Sequence, residues 1–141
     1  MCAFSWEKVS VESSTFSKRE RLSKKKRIQE LFTKGSSFFL YPYKVYYLTP
    51  TDPDDLEYPV QILISVSKRK FKRAVDRNAI KRLTREAYRT QKQSLLNACC
   101  AEKQTVVLGL VYVADKEQKF KLLQKKIKQT LFRLEETIQR S

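Results

Sequence analysis

Thr105-Val106-Val107-Leu108-Gly109-Leu110-Val111-Tyr112-Val113 is apolar at almost every position, the pattern of a strand covered on both faces in the middle of a sheet. Working outward, Phe120, Leu123, Ile127, Leu131, Leu134 and Ile138 recur in steps of three and four, which predicts a long C-terminal helix laid on that sheet. Upstream, residues 58–67 alternate. Val60, Ile62, Ile64 and Val66 share one face, while Gln61, Leu63, Ser65 and Ser67 share the other, so one face is core and the second is polar enough to bind a partner. Residues 36–49 are aromatic-rich and β-prone, but Pro42 cannot donate to a ladder and divides them into two strands. In the second of these, Val45 and Tyr47 should face one side and Lys44, Tyr46 and Leu48 the other. Ahead of the strands, Ser23 is a candidate N-cap, Ile28, Leu31 and Phe32 keep helical spacing, and Gly35 suits a left-handed position past a helix end. A helix over residues 24–34 follows. The order helix, three strands, helix, strand, helix is that of an α+β sandwich, with no repeat or linker to divide it. Residues 1–15 lack periodicity and read as an N-terminal arm, leaving residues 16–141 as a single domain.

Thirty Lys and Arg against 15 Asp and Glu leave the 141-residue chain at +15, more than solubility requires. The excess implies a polyanionic partner, with nucleic acid ahead of a membrane surface. A membrane-surface protein would carry a basic amphipathic helix with a lipid-facing stripe or a lipidation signal, and neither is evident. No apolar run approaches spanning length, and Met1-Cys2-Ala3-Phe4-Ser5-Trp6 lacks the charged start and apolar centre of a signal peptide; a cytoplasmic location is expected. The chain has no His, which removes the usual general base, the Ser and Cys triads and the commonest zinc ligand together. A self-sufficient nuclease would therefore need carboxylates. The dense acidic group Asp52, Asp54, Asp55 and Glu57 surrounds Pro53, and an exposed hairpin loop explains it more simply than a Mg²⁺ site does. Cys2, Cys99 and Cys100 are odd in number, two are adjacent, and no Cys-x-x-Cys spacing occurs; they read as reduced thiols.

The most charged segment lies between the alternating strand and the apolar one. Lys68, Arg69, Lys70, Lys72 and Arg73 form a basic loop, and the residues after it predict a helix opened by Asp76 as cap. At about 100° per residue, Arg77, Asn78, Lys81, Arg82, Arg85 and Arg89 fall on one arc and Ala79, Ile80, Leu83 and Ala87 on the opposite side. A solvated helix face normally mixes signs, with Glu and Lys four apart. Here only Glu86 and Asp76 are acidic, so the face repels itself and an anionic ligand is the natural compensation. Arg can clasp two phosphate oxygens or stack on a base, Asn78 can bond a sugar or base, and the helix start itself favours anions. Charge alone would serve DNA and RNA equally. Phe32 on the first helix and Tyr43, Tyr46 or Tyr47 on the second strand either line a groove where unpaired bases stack, a mode favoured for single-stranded RNA, or belong to the core.

These residues resemble the protein subunit of bacterial ribonuclease P. The similarity spans residues 16–138 and is most specific at Ser65-Val66-Ser67-Lys68 followed by Ala74-Val75-Asp76-Arg77-Asn78-Ala79-Ile80-Lys81-Arg82-Leu83-Thr84-Arg85-Glu86-Ala87-Tyr88-Arg89, with Arg21-Leu22 and residues 32–35 agreeing as well. The resemblance implies a two-layer αβββαβα sandwich whose four-stranded sheet has a left-handed βαβ crossover through the basic helix, against the general rule of hand. That is the ribonuclease P protein-like fold of the ribosomal protein S5 domain 2-like class. It implies a subunit of an endoribonuclease that binds a catalytic RNA and helps it remove the 5′ leader of precursor tRNA, with Mg²⁺ held mainly by the RNA and no catalytic residue in the protein. By similarity, Lys68, Arg69, Lys72, Arg73, Arg77, Asn78, Lys81, Arg82 and Arg85 would contact the catalytic RNA. Ile28, Phe32, Tyr46, Ser65, Ser67 and Lys68 would line or border a cleft for the single-stranded leader, and no DNA or membrane partner is expected.

The chain departs from the family pattern at three places: Arg77-Asn78-Ala79 stands for Arg-Asn-Arg, Ile28 for a frequent aromatic, and Phe71-Lys72 for a common Gly in a loop one residue longer. The helical projection puts Ala79 on the apolar side. Two other classes compete with this reading: a structural ribosomal or other rRNA-binding protein, which would share the basic helix but lack the leader cleft, and a stand-alone metal-dependent nuclease.

Overall fold

The structure is a computed structural model that describes residues 21–22, 24–49, 60–102 and 104–140. The N-terminal arm, the Ser23 cap, the acidic group at residues 52–57 and Cys2 lie outside the described residues. The apolar run forms β4 (Val106–Tyr112), flanked by β2 (Tyr43–Leu48) on one side and β3 (Val60–Val66) on the other, with β1 (Ser36–Leu40) beyond β2. β4 pairs antiparallel with β2 and parallel with β3. Its central place and its burial on both faces match the unbroken apolar pattern. β1 and β2 form the hairpin that Pro42 predicts, turning at Tyr41 and Pro42.

The sheet carries helices on both faces. On the larger side, Val45, Ile62, Leu108, Leu110 and the other residues of that parity pack against α2 (Ala74–Gln91), α3 (Gln93–Glu102) and α4 (Phe120–Arg140). The expected C-terminal stripe is realised, because Leu123, Ile127, Leu131, Leu134 and Ile138 are all buried. On the opposite side, α1 (Lys25–Lys34) seats Leu31 on Val107, with Ile28, Tyr46, Leu48 and Leu63 packed around them. α1 thus makes a partial third layer over one end of the sheet. α3 is an element the sequence pattern leaves unmarked: Leu95, Leu96, Ala98 and Cys99 are buried on one face at helical spacing, but the stripe is too short for one periodicity to stand out. It follows α2 after the single residue Lys92, which keeps a helical φ of −70° and ψ of −14°. Cys99 is buried and forms no disulfide.

Two expectations at helix ends change. α1 begins at Lys25, with Lys24 in the cap position and no side-chain cap bond, and Gly35 is extended, at φ −73° and ψ 161°, instead of left-handed. Space explains the glycine: a Cβ at Gly35 would lie 2.3 Å from the Leu31 carbonyl oxygen and 2.8 Å from that of Tyr47, so the helix can turn into β1 only without a side chain. The same reasoning applies to Gly109, where a Cβ would approach Leu31 Cδ2 to 2.9 Å. Its bare backbone lets Leu31 reach the sheet, a burial that contributes about 2 kcal/mol. α2 opens at Arg73 rather than at Asp76, which sits in the first turn, where its charge still complements the helix dipole. α2 is fastened to the sheet by a buried hydrogen bond of 2.7 Å between the Tyr43 hydroxyl and Thr84 Oγ1. Desolvation holds the Tyr43 phenol far above its ordinary value.

Candidate nucleic-acid interface

The basic loop gets its shape from one apolar residue and two cations, one of its own and one on α2. Phe71 is buried to 8% exposure, its ring 5.9 Å from that of Tyr112, so the residue that stands where the family pattern has a glycine pins the loop to the core. The Phe71 N–H donates to the Ser67 carbonyl at 3.1 Å, and the Arg69 N–H donates to Ser67 Oγ at 3.2 Å, closing the turn. Lys70 donates to the Val113 carbonyl and lies 3.3 Å from Asp115 Oδ1, tying the loop to the segment after β4. Arg77 Nη1 reaches back from α2 to the carbonyls of Phe71 at 2.7 Å and Lys72 at 3.1 Å. Lys70 and Arg77 are therefore struts, whereas Lys68, Arg69, Lys72 and Arg73 stand exposed around the turn.

α2 buries Ile80, Thr84, Ala87 and Tyr88, which sets every other position on the helix. Asn78 and Arg82 are exposed, and Lys81 and Arg85 are half-buried. Lys81, Arg85 and Asn78 line a cleft between α2 and the edge of β3, whose opposite wall is Arg21, Leu22 and residues 62–64. That wall exists because the Leu22 N–H donates to the Ile62 carbonyl at 2.9 Å, adding residues 21 and 22 to the sheet edge. Arg21 thereby joins the basic surface, a placement that two residues ahead of a helix cannot signal in sequence. Ala79 is not on the apolar side: it shares a recess with Val75, Asn78, Arg82 and Glu86, because the buried stripe is centred on Ile80 and Thr84 and leaves position 79 beside the cations. A small residue there leaves open the recess where the family pattern has its second arginine. Arg89 leaves the phosphate-facing arc, since its Nε donates to Glu86 at 3.2 Å, and this bond draws the Glu86 carboxyl below its usual range.

The leader-cleft residues gather on the other side of the sheet. Phe32 on α1 and Tyr46 on β2 meet edge to face, centroids 4.8 Å apart, and Lys44 Nζ stands 5.3 Å from the Tyr46 centroid. Ile28 packs beneath them. Along the uncovered part of the face, Lys44 lies opposite Val111 and Val111 opposite Ser65, and the strand leads on to Ser67 and the exposed Lys68. Ile28, Phe32 and Tyr46 thus form a cluster beside α1, with Ser65 on the same side of the sheet by register and Ser67 and Lys68 following the end of β3. Two aromatic candidates do not join it. Tyr43 is fully buried, and Tyr47 faces the large core, its ring 5.8 Å from that of Phe38. Their shared parity with Val45 was the available signal.

Among the described residues, no group of three Cys, Asp or Glu side chains gathers where a metal ion could be held. Nor, among them, is any helix long and apolar enough to cross a membrane. A basic loop and helix on one side of an α+β sandwich, with an aromatic cleft on the other face of its sheet, define a protein built to hold RNA.

The comparisons narrow that class. The model of the ribonuclease P family matches residues 16–135. The chain is 36% identical over 119 residues to the ribonuclease P protein component of Porphyromonas gingivalis strain W83, covering 84% of this chain and 85% of that one. It is 42% identical over 83 residues to that of Chlorobium phaeobacteroides, covering 58% and 57%. The fold is that of the Staphylococcus aureus ribonuclease P protein, with a TM-score of 0.63 at 23% identity over 80% of this chain and 93% of that one. The Thermotoga maritima protein gives 0.62 at 19% over 81% and 96%. The chain belongs to the ribonuclease P protein family, the protein subunit of that ribonuclease.

The strut assignment has a direct check. Arg77→Lys keeps the charge but loses the reach to two carbonyls, so the Phe71 amide should exchange with solvent at least several-fold faster in the isolated protein. An unchanged exchange rate would return Arg77 to the ligand-facing set.

Proposed function

We propose that this chain anchors on the catalytic RNA of ribonuclease P through the loop and α2, and holds the single-stranded 5′ leader of precursor tRNA in the cleft between α1 and the sheet. The observation that carries the reading is the separation of two surfaces of different chemistry. One presents Lys68, Arg69, Lys72, Arg73, Asn78, Lys81, Arg82 and Arg85 with few acidic neighbours, suited to a folded RNA's phosphates. The other presents the Phe32 and Tyr46 rings beside Lys44, suited to unstacked bases. Both surfaces reach Lys68, where an RNA strand leaving the cleft meets the loop. The protein supplies position and charge. Bond cleavage belongs to the RNA, with Mg²⁺ held mainly there, in keeping with a chain that has no histidine. The particle works in the cytoplasm.

The anchoring surface predicts a salt effect. Lys81→Ala, Arg82→Ala and Arg85→Ala each weaken assembly with the catalytic RNA, and each lost phosphate contact lowers the slope of log affinity against log salt by about 0.7 to 0.9. Three variants with unchanged affinity and slope would contradict the assignment. The cleft predicts a substrate effect: Phe32→Ala or Tyr46→Ala weakens binding of leader-bearing precursors about fivefold or more and leaves mature tRNA nearly unaffected. Equal losses on both would make these rings merely structural.

A further inference from the structure

β1 is an edge strand with an aromatic residue turned outward at a place where edge strands ordinarily carry charge. Phe39 is 57% exposed and Tyr41, in the turn that follows, is 48% exposed. Their rings lie 6.4 Å apart and tilted by 46°, so they form one shelf. Register fixes which way it faces: Phe39 is paired with Lys44, and Ser37 with Tyr46, so Phe39, Lys44 and Tyr46 project from the same side of the sheet. That is the side on which α1 covers only one end. Lys44 consequently stands between two aromatic platforms, with Tyr46 and Phe32 on one side and Phe39 and Tyr41 on the other. Across the sheet the same row continues to Val111 and Ser65.

We propose that Phe39 and Tyr41 are a second stacking site for single-stranded RNA, taking nucleotides of the leader that lie further from the cleavage site than those held by Phe32 and Tyr46. The proposal rests on the cleft reading given above. Rings spaced by a cation are what a strand of alternating bases and phosphates requires. An apolar protein partner is poorly matched, because the row beyond the two rings is Lys44, a half-buried Val111 and Ser65, and the chain carries +15. The site is continuous with the cleft but displaced towards β1. α2 flanks β3 at the opposite edge of a sheet of order β1-β2-β4-β3, about 14 Å away at the usual strand spacing. A leader anchored near the basic helix must therefore cross the sheet before it meets Phe39, and a short one ends first. The shelf also adds stacking surface to a cleft in which Ile28 offers none.

The test uses the protein assembled with its catalytic RNA and precursor tRNAs whose leaders are lengthened one nucleotide at a time. With wild-type protein, affinity rises in two stages, the second when the leader reaches the shelf. Phe39→Ala and Tyr41→Ala abolish the second stage, a loss of about fivefold or more on long leaders, and leave short-leader precursors and mature tRNA unchanged. Phe39→Trp keeps the second stage, whereas Phe39→Val, which preserves strand propensity without a ring, loses it as Phe39→Ala does; a second stage that survives in Phe39→Val would overturn the stacking role. If both alanine variants match wild type at every length while Phe32→Ala and Tyr46→Ala still cost affinity, the shelf is refuted and the cleft survives. If Phe32→Ala and Tyr46→Ala show no leader dependence, the cleft reading fails and takes the shelf with it. Equal loss on mature tRNA would also overturn the proposal.

Discussion

β4 must be covered on both faces, and the rest of the molecule is arranged around that requirement. Val106, Leu108, Leu110 and Tyr112 are buried against the layer of α2, α3 and α4, while Val107 is buried under α1. The second cover is the more exacting, because α1 is only 10 residues long and isolated helices of that length are marginal in water. It is held chiefly through Leu31, and Leu31 reaches the sheet only because position 109 has no side chain. A helix this short cannot shield a whole sheet face. The uncovered remainder of that face carries Lys44 beside the Phe32 and Tyr46 rings, with Phe39 further out on the edge strand.

The cations divide into those the fold uses and those it leaves to a ligand. Lys70 is spent on the Val113 carbonyl after β4, Arg77 on the Phe71 and Lys72 carbonyls of the loop, and Arg89 on Glu86. A loop of like charges would otherwise spread; tethered by these bonds and by the buried Phe71, it presents Lys68, Arg69, Lys72 and Arg73 in fixed positions. Pre-positioned cations give up little conformational freedom when an RNA arrives. Arg21 extends the same surface across the cleft from Lys81 and Arg85 through a strand addition at the edge of β3.

Much of this was legible in the sequence because the signals were long. The apolar run of β4, the stripe of α4 and the alternation of β3 each extend over enough residues for one periodicity to dominate, and each element lies where expected. What stayed hidden depended on a partner far along the chain. Gly35 reads as a helix stop in sequence, and a side chain there would meet not only the Leu31 carbonyl of its own helix but also the Tyr47 carbonyl of β2, which sequence does not place. Ala79 lies next to the buried stripe of α2, and only the docking angle of the helix decides on which side it falls. Arg77 looks like its basic neighbours until the loop folds back beneath it. The buried face of α3, Leu95, Leu96, Ala98 and Cys99, covers barely more than one turn, too little for a period to declare itself. The family resemblance pointed to Phe32, Tyr46 and Ser65 from separate elements, and only register relates them: the row of Tyr46 runs through Gly109 to Leu63, and the neighbouring row of Lys44 runs through Val111 to Ser65.

The central claim is that this chain positions an RNA-catalysed cleavage without performing it. Reconstitution by omission tests it most directly: purified protein, catalytic RNA, precursor tRNA and Mg²⁺ are combined, leaving out one component at a time, and release of the 5′ leader is measured. The account predicts that cleavage at low Mg²⁺ needs the protein and the RNA together, and that the protein alone releases nothing. Leader release by protein and Mg²⁺ without the catalytic RNA would contradict it.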